Sequence, residues 1–300
     1  MARTSSTRST AGTGKANGRR PATVRISDKD RSALALACDR LEHPSLAARL
    51  TALIGRPVED GLTLLPRRWY GRLHASAEAT ISRALSVAIR TLPENDRTAR
   101  EDLHKLLCIG SGAVGGFFGL PGTLAELPLT TTLMMRSIAD IARDEGEDLA
   151  LVEGRMACVE VFAYGGRPAE DDAAETGYYG LRLAMAFHFS LVSAQLVEHG
   201  IAQRTLPATV ALTRAIAGRF GVAVSDKIAF QLVPMIGAIG GAAVNAIFVH
   251  HFQEMARGHF TVRRLERKYG QNRVQQAYEK IRKEGIEVRR SRPRVLSTAA

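Results

Sequence analysis

Hydrophobic positions recur at helical spacing along most of the chain, and no stretch shows the two-residue alternation of a half-buried strand. Ser27-Asp28-Lys29-Asp30 reads as a helix start, with a capping hydroxyl and acids in the first turn, and the helix runs to about Glu42. A short helix over 45–54 closes at Gly55. A connector with Pro57 and Gly61 leads to a longer helix over 66–92, apolar at Trp69, Leu73, Ala77, Ile81, Leu85 and Ile89 and stopped by Pro93. Proline is tolerated in a first helical turn, so Pro128 predicts a helix beginning near Leu127 with Glu126 at its N-terminal end. It continues to Gly146. Further helices follow over 149–164, 178–199 and 206–220, the last two read as core helices. Ser225-Asp226-Lys227 opens a new apolar segment that Pro234 divides, leaving helices over 235–257, 259–270 and 272–283.

Small residues change this picture at two places. The run 110–119 and the block Met235–Asn245 are rich in glycine, with Gly112/Gly116, Gly115/Gly119 and Gly237/Gly241 at i and i+4. Glycine costs a helix about 1 kcal/mol relative to alanine, and this spacing puts bare backbone on one face where another helix can approach. The expected fold is therefore all-α, a single multi-helix bundle with two glycine-rich helices meeting at its centre. Segments 106–125 and 228–253 carry no Asp, Glu, Lys or Arg and reach the ~20 residues of a membrane span. Their Gly and Ala content makes them only moderately hydrophobic, and they are read as buried core helices.

Charge is segregated. Of the formal net charge of +11, residues 1–31 hold eight Lys/Arg against two acids, and residues 257–300 hold thirteen against four. The organisation read from this is a basic disordered arm over 1–26, N-terminal helices and connector over 27–65, the main helical domain over 66–284, and a basic tail over 285–300. The arm lacks the apolar stretch of a signal peptide. Cys38, Cys108 and Cys158 are widely spaced in apolar helical pattern, which predicts reduced, buried thiols in a cytoplasmic protein.

Gly-Ala-Val-Gly-Gly (112–116), Leu-Pro-Gly-Thr (120–123), Glu-Leu-Pro (126–128), Pro234 with Gly237-Ala238, Gly240 through Asn245, and His259-Phe260 with Arg264-Leu265-Glu266 through Tyr269-Gly270 together resemble the EcsC protein family. The resemblance covers about residues 66–283. It implies a helical bacterial protein of unsettled biochemistry. The family takes its name from a gene cluster with an ATP-binding-cassette transporter, and some members carry a peptidase label. It supplies no catalytic residue.

Glu126 is the leading single candidate, as a proton-transfer group or ligand contact if buried, against the plainer role of a capping acid. Asn245 continues the small face of Gly241, and a close approach to Glu126 would make one central polar site. His250 and His251 stand at i+4 and i+3 spacing from Glu254, which places two potential ligands on one face, but no third ligand is evident and no metal or other cofactor is assigned. Arg263, Arg264, Arg267, Lys268 and Arg273 form a basic set suited to a membrane surface or another anionic partner. They lack a nucleic-acid reading motif. The leading reading is a cytoplasmic protein peripheral to the inner face of the cell membrane, binding lipid or a membrane-protein partner. The alternatives are a hydrolase using Glu126 with His250 or His251, and a soluble helical scaffold. Oligomeric state has no signature in the sequence.

Overall fold

The computed structural model describes residues 25–42, 46, 49–50, 67–91, 119–166, 177–199, 207–231 and 237–291. Eight helices and no strand occur among them: α1 (Asp28–Glu42), α2 (Arg67–Thr91), α3 (Gly119–Asp144), α4 (Val152–Tyr164), α5 (Tyr178–His199), α6 (Pro207–Gln231), α7 (Gly237–Tyr269) and α8 (Gln271–Ser291). The all-α expectation holds. Gly112, Gly115 and Gly116 lie outside the described residues, as do the arm over 1–24 and Cys108. Gly119, Gly237 and Gly241 fall in the first turns of α3 and α7, and those two helices pack against each other.

The helix α7 is the hub, touching α1, α3, α4, α6 and α8. Helix α4 is buried from Gly154 to Tyr164, Arg155 and Glu160 included. Phe162 of α4, Phe220 of α6 and Phe248 and Phe252 of α7 form its aromatic core. The Phe162–Phe220 ring centroids lie 5.2 Å apart in an edge-to-face arrangement, and Phe248–Phe252 do the same at 5.2 Å. Gly258 allows α1 to lie directly on α7. A Cβ at that position would stand 2.7 Å from Leu41 Cγ and 3.2 Å from the Ala37 carbonyl oxygen. Cys38 and Cys158 are buried and unbridged, and burial, with a smaller push from Glu42, raises the Cys38 thiol to about 12.

Several helix boundaries differ from the sequence reading. Helix α3 starts at Gly119 with Pro121 in its first turn, so Pro128 sits in the interior and Glu126 is two turns inside the helix rather than at its end. Helix α6 runs unbroken through Ser225-Asp226-Lys227, and α7 runs unbroken through Gly258-His259. Helix α8 continues past Gly285 to Ser291, into the segment read as a tail. At Ser225-Asp226 and Gly258 the local breaker costs about 1 kcal/mol or less, which burial of the flanking apolar residues outweighs. The stops at Gly146 and Gly270 agree with the sequence. Both have positive φ, and at the first the Gly146 N–H donates to the Arg143 carbonyl and the Glu147 N–H to the Ala142 carbonyl, the paired bonds of a glycine C-cap.

The start of α1 is clamped to the α7–α8 corner. The Asp30 carboxylate accepts from Lys268 Nζ at 2.7 Å, Tyr269 Oη at 2.7 Å and Ser27 Oγ at 3.0 Å. Hydrogen bonds from Lys268 and then Tyr269 hold its carboxyl well below the usual range, against the opposing effect of burial. A depressed carboxyl stabilises the fold above the unfolded value near ~4 and loses that contribution as pH falls toward its folded value. Asp30→Asn is therefore expected to cost about 1–2 kcal/mol at neutral pH, limited by the exposure of Lys268. In urea melts the difference from wild type should shrink steadily below about pH 4. A difference that grows in acid would contradict the clamp.

Candidate functional site

Glu126 and Lys227 meet inside the bundle. Glu126 Oε1 accepts from Thr130 Oγ1 at 2.8 Å, one turn along α3, and from Lys227 Nζ of α6 at 3.3 Å. Lys227 is fully buried, and its ammonium lies 5.1 Å from the centroid of the Phe248 ring on α7. Asn245, also fully buried, is one turn before Phe248 on the same helix face. The buried pair thus joins α3 to α6 beside the Phe248 ring of α7, and its cation comes from a residue that the sequence reading passed over as part of a helix start. Lys227 directly follows Ser225-Asp226, so the local sequence is polar and gives no sign that this lysine is buried.

The candidate histidines stand elsewhere. His251 is buried, with Nε2 2.9 Å from the Gly165 carbonyl oxygen, and His250 is half-buried. Glu254, their expected metal-face partner, pairs instead with Arg40 at 2.7 Å and Arg257 at 2.8 Å. Burial works to raise the Glu254 carboxyl, and the two arginines overcome it and hold it low. Among the described residues no group of three or more His, Cys, Asp and Glu gathers around a common point.

The four basic candidates on α7 have carboxylate partners within the chain. Arg263 donates to Glu147 at 2.7 Å, Arg264 to Glu145 at 2.5 Å, Arg267 also to Glu147, and Lys268 to Asp30. These contacts tie the α3–α4 turn and the start of α1 onto α7. The anionic partner of these four side chains is the protein itself, which the sequence could not show because Glu145 and Glu147 lie about 120 residues away. Arg273 occupies the first turn of α8, half-buried, beside the start of α1.

A second polar cluster holds α5 by its first turn. The Tyr178 N–H and Tyr278 Oη both donate to Glu42 Oε1, at 3.0 and 2.8 Å. Tyr178 Oη lies 2.9 Å from His259 Nδ1, while Tyr164 Oη donates to Glu160, whose other oxygen is 3.8 Å from His259 Nε2. Burial raises the Glu160 carboxyl and pushes His259 well below its ordinary value, so both groups favour their neutral forms. Tyr179 Oη and Arg182 then share Glu266, at 2.8 Å each.

With its first turn fixed, α5 buries Tyr178, Met185, Val192 and Leu196 and turns its other side outward. Leu183 (77% exposed), Phe187 (66%), Leu191 and Val197 (85%) form an apolar stripe at four-, four- and six-residue intervals. The sequence reading of α5 as a core helix is corrected here. The helix has 22 residues with a mean hydropathy of 1.3 in its most apolar window, yet only 17% of that window is buried.

Residues 46–265 match the EcsC protein family. The chain belongs to that family. No curated protein and no solved structure matches this EcsC protein.

The buried pair gives the sharpest test. Removing one member of a buried ion pair typically costs about 3–5 kcal/mol because the other charge is left without its counterion. Lys227→Met and Glu126→Gln should each approach that loss in urea unfolding, and the double variant should lose clearly less than the sum. Additive losses would show that the two groups do not act as a pair.

Proposed function

We propose that this EcsC protein is a peripheral membrane protein of the cytoplasmic face, laying the outer side of α5 on an anionic lipid bilayer. The observation that carries this reading is the exposed Leu183–Phe187–Leu191–Val197 stripe on a helix held by polar contacts at its start. Burying a full aliphatic or aromatic side chain is worth about 1.5–3 kcal/mol, so four partly exposed ones supply several kcal/mol. A contribution of that size gives reversible attachment, and stable anchoring needs a second signal. The basic ends of the chain suit that role, each Lys or Arg near an anionic surface adding about 1 kcal/mol.

Acid–base hydrolysis finds less support. Glu126 is engaged by Thr130 and Lys227 inside the bundle, and His251 lies against the Gly165 carbonyl.

Sedimentation of the full chain with phosphatidylglycerol vesicles tests the proposal. Wild type should pellet with the vesicles, and added salt should weaken the association. Leu183→Glu/Phe187→Glu should lose most of the binding, at least about tenfold, without loss of folding because both side chains already face solvent. Wild-type protein remaining in the supernatant would overturn the lipid reading and leave a membrane-protein partner as the occupant of the stripe.

A further inference from the structure

A cleft of about 740 Å³ opens where the start of α1 meets the first turns of α8. Arg25, Asp28 and Arg31 line one wall, and Arg273, Gln276 and Lys280 line the other. The α8 residues recur at three- and four-residue intervals, so all three side chains emerge from one helix face. Four cations face a single carboxylate. Among the described residues Arg25 and Arg31 have no ion-pair partner, and the Lys280–Glu284 approach is a long 3.9 Å between side chains that are both more than half exposed. Such a pair contributes little and leaves Lys280 available to a ligand.

The geometry of the cleft is fixed from behind. Asp30 is absent from the lining and holds α1 to the α7–α8 corner through Lys268 and Tyr269. The Ser27 N–H also reaches Tyr269 Oη, at 3.4 Å. The two arginine-bearing walls are therefore set apart by the fold, not by the flexible side chains. The cleft joins the two ends of the chain where the positive charge is concentrated, and both helices that border it begin there, at Asp28 and Gln271, adding the partial positive charge of helix N-termini.

We propose that this cleft binds a phosphate-bearing anion, a phosphomonoester or diphosphate group, between the Arg25–Arg31 wall and the Arg273–Lys280 wall. Guanidinium forks match phosphate oxygens in bidentate geometry, and several cations on two walls suit a group carrying more than one negative charge better than a lone carboxylate. The volume lies in the range of small-molecule sites. Among the described residues no aromatic side chain lines the cleft, so they offer no stacking platform of the kind single-stranded nucleic acid uses.

Isothermal titration of the full chain with pyrophosphate tests the site apart from any membrane. Wild type should bind at low ionic strength. Arg31→Gln/Arg273→Gln should weaken binding at least about tenfold. Arg25→Gln/Arg31→Gln, which changes only exposed side chains, should weaken it in the same direction and guards against misfolding of the first variant. Arg83→Gln/Arg214→Gln removes the same charge far from the cleft and should leave affinity within about twofold. Absence of binding, or equal weakening by the distant pair, would overturn the proposal.

Vesicles of neutral lipid with and without phosphatidic acid identify the source of the phosphate. If the cleft takes a lipid headgroup, pyrophosphate competes with phosphatidic acid vesicles and the cleft variant loses the preference for them. If it takes a soluble phosphate compound, the vesicle preference is unchanged while the titration signal is lost. Leu183→Glu/Phe187→Glu should titrate with pyrophosphate as wild type does, so failure of the α5 reading and failure of the cleft are read separately.

Discussion

A carboxylate withdrawn from water must be met by donors, and for five carboxylates of this bundle donors come from helices distant in sequence. Asp30 is met by Lys268 and Tyr269, Glu42 by Tyr178 and Tyr278, Glu126 by Lys227, Glu147 by Arg263 and Glu266 by Arg182. Apolar packing supplies the larger share of the stabilisation but is not directional. A helix that slides or rotates a little keeps most of its buried area, whereas a carboxylate that loses its donor is left charged and dry. These pairs therefore select one rotation for α1, α5 and α8 around α7 from among arrangements that bury similar apolar surface.

That selection shapes the outer surface. The first turn of α5 spends its polar groups inward, on Glu42, His259 and Glu266, and the direction of that turn decides which residues later in the helix face out. Leu183, Phe187, Leu191 and Val197 are exposed because Tyr178, Tyr179 and Arg182 are not. The same logic moves charge. Arg263, Arg264, Arg267 and Lys268, which resemble a surface patch when read along the chain, are turned to partners on the α3–α4 turn and α1. The positive residues bordering the cleft are instead Arg25 and Arg31 around the start of α1 and Arg273 and Lys280 in the first three turns of α8.

Helix content and family membership were legible because they rest on local signals: 3.6-residue periodicity, the glycine stops at 146 and 270, and the motif residues between 112 and 270. Boundaries failed where a weak breaker sits inside a strongly buried stretch, as at Ser225-Asp226 and Gly258, and where Pro128 is carried in the interior of a helix that starts earlier, at Gly119. Glu126 and Asn245 were legible as polar residues in apolar surroundings, and both are buried. Lys227 was missed because Ser225 and Asp226 beside it make the local run read as a polar helix start. The exposed stripe was not legible at all. Helix α5 is apolar on most sides, so its periodicity does not say which face is covered, and only the long-range contacts of its first turn decide that.

The central claim is that the outward face of α5 enters lipid while its inward face stays on the protein. Tryptophan scanning with brominated phospholipid quenchers measures this directly, since the chain contains a single tryptophan that Trp69→Phe removes. Leu183→Trp, Phe187→Trp and Val197→Trp should be quenched by brominated vesicles, and Phe189→Trp, on the partly buried side, should not. Quenching at none of these positions, or as strong at 189 as at 187, would contradict the account.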